Sequence, residues 1–70
     1  MKNLNITTYR ANVSDTLSIY VMSDECFNEE EAWVAIIESE YSDMLIDFIE
    51  FDESVAQFNG YKYCAIFHEN

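Results

Sequence analysis

Acidic residues without basic neighbours dominate this chain. Between Arg10 and Lys62 the sequence has no lysine or arginine. The same segment carries thirteen carboxylates: Asp15, Asp24, Glu25, Glu29, Glu30, Glu31, Glu38, Glu40, Asp43, Asp47, Glu50, Asp52 and Glu53. The formal net charge is -11 over 70 residues, and so much like charge destabilises a compact fold through self-repulsion. Soluble domains usually mix positive and negative charges on their surface. We therefore expect the negative electrostatic field of this chain to serve a function. Meeting a strongly basic partner is the obvious use.

The rest of the composition predicts a folded domain rather than an acidic disordered tail. Half of the residues are apolar and 16% are aromatic, with no proline and one glycine. Disordered acidic segments have few aromatic residues. The length allows a single domain, residues 1–70. A core of this size is marginal and oligomerisation is a common supplement, so both a monomer and a homodimer remain open.

The lack of a recognisable targeting signal and the cysteine usage both favour a cytoplasmic protein. No apolar run approaches the roughly 18 residues that span a membrane, and the N-terminus lacks the features of a signal peptide. Anionic lipid would repel the acidic surface, so we expect no membrane partner. Cys26 and Cys64 have no CxxC spacing, and one histidine cannot complete a zinc site with them. We expect two reduced, partly buried thiols, with a disulfide as the alternative in an oxidising compartment.

The first third of the chain has the pattern of a β-hairpin. Residues 4–11 (LNITTYRA) are rich in β-branched side chains, which favour a strand. Residues 17–22 (LSIYVM) predict a second strand, in which Leu17, Ile19 and Val21 line one face. Residues 12–15 (NVSD) supply the turn between them.

A helix is predicted to begin after Asn28. Asn28 is a good N-cap and Glu31, three residues later, completes a capping box. Together with Glu29 and Glu30, Glu31 puts negative charge in the first turn, where the helix dipole favours it. Apolar residues then recur at helical spacing and predict a core-facing stripe: Trp33, Ile36, Ile37, Tyr41 and Met44.

Residues 45–58 fit either a strand or a helix. We prefer a strand over 45–53, bulged where Phe48 and Ile49 break the alternation, followed by a hairpin turn at Asn59–Gly60. Residues 61–68 form the last strand. The predicted fold class is α+β, a ββαββ two-layer sandwich with a mostly antiparallel four-stranded sheet and one helix on one face. If residues 45–58 are helical, the order becomes ββααβ.

The sequence offers little for catalysis, metals or cofactors, and we predict none of them. His68, the one histidine, stands two residues from the C-terminus, where we expect the chain to fray. A pair of His68 with either cysteine would also lack an evident third partner to orient the imidazole. The single glycine excludes a phosphate-binding glycine loop. The acids of residues 24–31 lack the spacing and the glycine of an EF-hand loop. Three basic residues cannot hold nucleic acid against this field, so direct nucleic-acid binding is not expected.

The acidic surface is therefore the candidate binding site. On the predicted helix, Glu31 and Glu38 stand roughly 10 Å apart along the axis, and DNA phosphates advance about 3.4 Å per nucleotide on each strand. Carboxylates at such intervals are compatible with phosphate-binding pockets, although many acidic surfaces would be. The predicted contact residues are Glu29, Glu30, Glu31, Glu38, Asp47, Glu50, Asp52 and Glu53. Exposed tyrosines beside them would add anchors.

At the level of class, the chain resembles small inhibitors encoded by phages and plasmids. The resemblance rests on the size, the -11 charge and the passage LSIYVMSDECFNEEEAWVAIIESEY followed by LIDFIEF. That passage is similar to the strand, acidic turn, helix and strand of some phage proteins that take over the host. The class includes anti-CRISPR proteins, anti-restriction DNA mimics and inhibitors of host polymerases or nucleases. The resemblance implies a block of a nucleic-acid-handling complex, and it assigns no role to any single residue.

The leading hypothesis is a non-enzymatic inhibitor that mimics nucleic-acid charge in the cytoplasm of a host cell. Its partner would be a basic nucleic-acid-binding protein or complex: a CRISPR effector, a restriction enzyme or a nuclease. The alternative is an immunity protein or antitoxin that neutralises one basic toxin through the same surface. A third hypothesis is a protein that dimerises through an apolar sheet face, with its charge serving solubility alone.

Overall fold

The computed structural model describes residues 3–13 and 16–69. Four strands and two helices follow one another in the order ββαβαβ. They are β1 (Asn5–Arg10), β2 (Leu17–Ser23), α1 (Glu29–Ile37), β3 (Ile46–Phe51), α2 (Glu53–Phe58) and β4 (Tyr63–Glu69). The fold is α+β, as the sequence predicted, with a four-stranded antiparallel sheet and the helix α1 on one face.

The sheet has the strand order β1-β2-β4-β3, and every neighbouring pair is antiparallel. The C-terminal strand β4 therefore lies inside the sheet, between β2 and β3. Four successive residues of β4, Cys64 to Phe67, are buried. Because neighbouring strand residues point to opposite faces, this run means that both faces of the sheet are covered at β4.

The predicted hairpin of β1 and β2 is present, in a register that pairs Asn5 with Met22 and Arg10 with Leu17. The N–H of Ala11 donates to the carbonyl of Thr16 at 3.0 Å and closes the connection. The predicted turn, 12–15, lies partly outside the described residues, since Ser14 and Asp15 are not among them.

One face of the sheet holds the larger core, which α1 covers. Trp33 of α1 packs edge-on against Phe67 of β4, with ring centroids 5.0 Å apart and an interplanar angle of 86°. The buried members of this core are Ile19, Val21, Phe27, Ala32, Ile36, Ala65 and Phe67. Burial of aromatic and branched side chains of this kind is the main stabilising term for so small a domain.

Helix α1 begins as predicted and ends earlier than its apolar stripe suggested. The Asn28 side chain accepts the Glu31 N–H at 2.8 Å, and the Glu31 carboxylate accepts the Asn28 N–H at 3.1 Å, so the capping box is complete. At the other end, the Ser39 hydroxyl donates to the Ile36 carbonyl at 2.6 Å, a local bond that competes with further helix. The prediction that Ile37 faces the core is wrong, because its side chain is 62% exposed.

Two residues of the predicted stripe lie beyond the helix. Tyr41 and Met44 follow α1 in turns and irregular chain, and both still pack against the core under α1. Their helical spacing was therefore coincidental, although their burial was predicted correctly.

The ambiguous segment contains both a strand and a helix. β3 covers its first half and α2 its second half, so the alternative order ββααβ is wrong and the preferred order lacked α2. The expected bulge is present one residue earlier than predicted. The register shifts between Ile46 and Phe48, where one step of β4 from Glu69 to His68 opposes two steps of β3, and Asp47 is the extra residue.

Asn59 and Gly60 end α2 rather than forming a β-hairpin turn. Gly60 has a φ of 84°, its N–H donates to the Gln57 carbonyl at 3.1 Å, and the Tyr61 N–H donates to the Ala56 carbonyl at 2.8 Å. These two bonds around a left-handed glycine make a Schellman motif. The hairpin prediction is wrong because the same dipeptide suits both turns, and β3 and β4 are antiparallel partners joined through a helix.

Helix α2 packs on the face of the sheet opposite α1. Ala56 of α2 is buried against Met22, Cys64 and Ile66, which alternate with the residues of the larger core. Because α2 has six residues, it covers only one end of this face. The sheet therefore has one face under α1 and a smaller second core under α2.

Candidate functional site

Half of the predicted contact residues lie on α1. Glu29, Glu30 and Glu31 form its first turn, and Glu38 is its C-cap. Glu29, Glu30 and Glu38 are exposed, whereas Glu31 is half-buried and closes the capping box. Three of these carboxylates are thus presented to solvent, and the fourth has a structural role as well.

Glu38 stands where its charge costs stability. The C-terminus of a helix carries partial negative charge, and a cation is favoured there. The last turn of α1 contains no basic residue, and Glu38 follows it directly. The three glutamates of the first turn have the opposite, favourable placement. The helix dipole therefore does not explain the placement of Glu38.

A groove of about 660 Å³ runs between α1 and the edge strand β1. Its lining combines apolar side chains with carboxylates and amides: Asn3, Leu4, Ile6, Asn28, Glu30, Glu31, Val34, Ala35 and Glu38. The groove therefore brings Glu30, Glu31 and Glu38 to one surface. Sequence reasoning selected these three acids but missed the apolar surface beside them, which exists because α1 does not extend over β1.

The other predicted contact residues lie elsewhere. Asp47 is the bulged residue of β3, Glu50 faces the α2 side of the sheet, and Asp52 and Glu53 begin α2. β1 and β3 are the two opposite edges of the sheet. The eight predicted carboxylates thus form two surfaces: the α1 surface (Glu29, Glu30, Glu31 and Glu38) and the β3–α2 surface (Asp47, Glu50, Asp52 and Glu53).

Asp52 is the N-cap of α2 and is used by the fold. Its carboxylate accepts hydrogen bonds from the Ser54 hydroxyl and from the N–H groups of Ser54 and Val55, at 3.0 and 3.3 Å for the two N–H groups. The Ser54 hydroxyl and the Val55 N–H stabilise the charged form and hold the pKa of Asp52 below its ordinary value. As a contact residue it is thereby less available than Glu53 beside it, which is exposed.

His68 has partners that sequence reasoning missed. Its Nε2 lies 2.8 Å from Oε1 of Glu50, and its Nδ1 lies 3.5 Å from the Ser18 hydroxyl. The ring of Phe48 stacks on the imidazole, with centroids 4.2 Å apart and an interplanar angle of 20°. The prediction that His68 sits in a frayed end is wrong, because β4 continues through it to Glu69. Only the strand register, in which His68 opposes both Ser18 and Phe48, could have revealed this cluster.

The serine, histidine and glutamate resemble a nucleophile, a base and an orienting acid in residue type alone. Ser18 lies on β2, whose two neighbours in the sheet are β1 and β4. The backbone N–H groups of a strand paired on both sides are committed to the ladders. Stabilising an oxyanion beside Ser18 would need such N–H groups to be free. We therefore interpret the cluster as an anchor that joins β2, β3 and β4.

A second cleft, of about 500 Å³, lies between α2 and the first two strands. It is lined by Tyr9, Tyr20, Ser54, Val55, Phe58 and Asn59. Phe58 is 91% exposed and Tyr9 is 58% exposed, which meets the expectation of an exposed tyrosine. Burial, with smaller contributions from nearby ionisable groups, raises the pKa of Tyr20 above its ordinary value. Exposed aromatic side chains of this kind are typical anchors at protein interfaces.

The two cysteines have different environments. Cys64 is buried in β4, and desolvation, with repulsion from Asp52 and Glu50, raises its pKa to about 11. Cys26 is exposed, so the expectation that both thiols are partly buried is wrong for it. Both thiols are free in this structure, and the low-pKa setting of a reactive thiol is not found at Cys64.

Over residues 3–13 and 16–69, no three His, Cys, Asp or Glu side chains come together as a metal site. In the same part of the chain, no helix is long and apolar enough to cross a bilayer. Comparison of the chain with protein-family models, with curated proteins and with solved structures finds no match. The candidate binding sites of this protein are therefore the two acidic surfaces and the apolar surface between α1 and β1.

Proposed function

We propose that this protein is a non-enzymatic inhibitor that occupies the nucleic-acid groove of a basic protein with its α1 surface. The observation that carries the proposal is Glu38, an exposed acid at the helix end where the dipole opposes it, on one groove with Glu30 and Glu31. The target belongs to the nucleic-acid-handling machinery of a host cell: a CRISPR effector, a restriction enzyme or a nuclease. The protein then acts in the host cytoplasm, in the manner of phage-encoded anti-CRISPR or anti-restriction proteins.

The spacing of the α1 surface supports charge mimicry. Glu38 comes seven positions after Glu31, which is about 10 Å along a helix axis. Phosphates of one DNA strand advance about 3.4 Å per nucleotide, so the two carboxylates lie about three phosphates apart. The net charge of -11 adds long-range attraction that speeds association with a basic groove and weakens as salt screens it. Inhibition is therefore competitive with DNA or RNA and sensitive to salt.

The first experiment identifies the target. Tagged protein is incubated with host lysate at low salt, with and without nuclease treatment, and the captured proteins are identified by mass spectrometry. The proposal expects a nucleic-acid-binding complex that survives nuclease treatment and is released by added DNA or RNA. Capture that disappears with nuclease, or that added nucleic acid leaves unchanged, contradicts charge mimicry.

Paired charge reversals then locate the surface. Glu30→Lys with Glu38→Lys alters the α1 surface and leaves the capping box of Glu31 intact. Asp47→Lys with Glu53→Lys is the matched variant on the β3–α2 surface, since it changes the net charge equally and spares the cap residue Asp52. We expect the first variant to weaken inhibition by about 10-fold or more, and the second by much less. The reverse ranking would move the site to the β3–α2 surface.

An immunity protein or antitoxin is the second candidate, and the exposed aromatic side chains favour it. Tyr9 and Phe58 flank the cleft under α2, and such anchors suit a protein surface better than a phosphate-binding groove. The same capture experiment separates the two. A single small basic protein, bound in a manner that nucleic acid does not disturb, supports the antitoxin function.

A further inference from the structure

One face of the sheet has room beside α1 for a second helix. Four strands spaced about 4.8 Å apart make a sheet about 19 Å wide, whereas one helix with its side chains is about 10 Å wide and covers about half of it. α1 buries Ala32 and Ile36 in the larger core. Five of the six residues of β1 are exposed, and Ile6 alone is half-buried. The uncovered strip of this face is the groove between α1 and β1.

The position of the apolar residues in this groove suits a helix packed on the face of the sheet rather than a strand added at its edge. Leu4 and Ile6 are two residues apart and so share the face of the sheet that α1 covers. Val34, 48% exposed, contributes apolar surface from the wall formed by α1. A strand added to β1 would lie beside its backbone edge and would leave this surface uncovered. An occupant that fills the groove must sit on the sheet face, as α1 does.

The carboxylates that α1 contributes to the groove favour a helix with basic side chains. Glu30 and Glu31 mark one end of the groove and Glu38 the other, about 10–12 Å away along α1. An occupant between them meets apolar side chains below and carboxylates beside it. We propose that the groove binds an amphipathic helix of the target, with an apolar stripe against Leu4, Ile6 and Val34 and with Lys or Arg residues seven apart facing the glutamates. This proposal rests on the proposed function, because it names the part of the basic partner that the α1 surface holds.

The test uses a synthetic peptide and the intact protein. The probe is a fluorescein-labelled peptide of about 16 residues, built from Leu at i, i+3, i+4 and i+7 spacing and Lys elsewhere. A second peptide has the same composition with its Leu residues spread around the helix, and a third carries a central proline, which breaks a helix. Fluorescence anisotropy gives the dissociation constant of each. We expect the amphipathic peptide to bind about 10-fold tighter than either control.

A matched pair of variants places the peptide in the groove. Val34→Asp introduces a charge on the groove wall, and Ile37→Asp introduces the same charge on the same helix at an exposed residue that does not line the groove. Both changes make the protein more attractive to a basic peptide, so electrostatics is equal in the two. We expect Val34→Asp to weaken binding about 10-fold and Ile37→Asp to leave it within about twofold. Circular dichroism confirms that both variants are folded.

Several outcomes would overturn the proposal. Equal binding by the two variants would mean attraction by charge without the groove, and equal binding of the proline peptide would mean an extended occupant. An amphipathic peptide that does not bind at all would also reject it. The proposed function fails separately: it is lost if Glu30→Lys with Glu38→Lys leaves competition with nucleic acid intact. A loss of that competition with no difference between Val34→Asp and Ile37→Asp would leave charge mimicry standing and remove the groove.

Discussion

The helix dipole of α1 stabilises one of its acidic residues and destabilises another. Glu29 lies in the first turn, near the partial positive charge of the N-terminus, and Glu38 caps the opposite end. Charges at helix ends are worth roughly 0.3–1 kcal/mol at exposed positions and low salt. Folding therefore favours Glu29 and opposes Glu38, although both carry the same charge.

This contrast predicts a stabilising substitution that removes a binding residue. We expect Glu38→Lys to raise the unfolding free energy by about 0.5–1 kcal/mol at low salt, because a cation is favoured at the helix C-terminus. Urea denaturation followed by circular dichroism measures the change. Glu29→Lys is the control, and it should lower the unfolding free energy by a similar amount. A destabilised Glu38→Lys variant would show that local contacts of Glu38 outweigh the dipole.

The two thiols predict different reactivity in the native protein. Cys26 is exposed and should react quickly with 4,4′-dithiodipyridine, a neutral reagent that the acidic surface does not repel, whereas buried Cys64 should react only after unfolding. Comparing Cys26→Ser and Cys64→Ser assigns each phase of the reaction.

Burial of Cys64 also predicts a dependence of stability on pH. Because burial raises the Cys64 pKa to about 11, its neutral form stabilises the fold below the ordinary thiol pKa. That contribution should be lost as the pH rises towards about 11. Fast reaction of both thiols would contradict the burial of Cys64.

The cap residue Asp52 predicts a loss of stability in acid. Its hydrogen bonds to Ser54 and Val55 lower its pKa, so the ionised form is favoured in the folded protein. This contribution is present above the ordinary carboxyl pKa of about 4 and is lost as the pH falls through the lower, folded value. Asp52→Asn should flatten the fall in urea midpoint between about pH 5 and pH 2. Glu53→Gln, one residue away and without these bonds, is the matched control and should keep the wild-type slope.

At the scale of elements, one glycine decides how the chain leaves α2. Gly60 is in the left-handed region, and a Cβ built on it would meet no atom within 4 Å. The cost of a side chain there is therefore one of backbone conformation rather than of space. The turn matters because it brings the chain from α2 back into β4, the strand that both cores share.

Gly60→Ala should lower the unfolding free energy by about 1–2 kcal/mol, which is the cost of a left-handed conformation for a residue with a Cβ. Gly60→Asn should cost less, because asparagine tolerates this conformation better than alanine does. Thermal or urea unfolding measures both. If the two variants are equally stable, the Schellman turn contributes nothing beyond the loss of glycine.

At the scale of the whole molecule, self-repulsion opposes the fold. The net charge is -11 on a domain whose Cα radius of gyration is 11.4 Å. Interactions between exposed charges are screened over about 10 Å at 0.1 M salt and over shorter distances at higher salt. Added salt should therefore relieve repulsion across the entire surface, including that between the two acidic surfaces.

We expect the melting temperature to rise by several degrees between low salt and about 0.5 M sodium chloride. Circular dichroism at both salt concentrations measures it. The variant Glu30→Lys with Glu38→Lys is the control, since two reversals reduce the net charge from -11 to -7, and its rise should be smaller. A melting temperature that is flat or falls with salt would mean that local ion pairs matter more than the total charge.

Local signals in the sequence determined the parts of this protein that neighbouring residues decide. The start of α1 follows from Asn28 and Glu31, whose side chains satisfy backbone N–H groups within the same turn. The strands β1 and β2 follow from their β-branched residues, β4 follows from its run of aromatic and apolar residues, and the excess of carboxylates follows from composition. These features need no knowledge of distant contacts.

Contacts between distant parts of the chain set how Asn59–Gly60 is used and which acids share a surface. The dipeptide suits both a hairpin and a helix end, and burial of Ala56 against Cys64 selects the helix. The strand order places β3 and β1 at opposite edges, which separates Asp47 from Glu30 and Glu38. The register sets His68 beside Glu50 and Phe48. Each outcome depends on contacts between residues far apart in the chain, and their free energy is gained only when the sheet closes around β4.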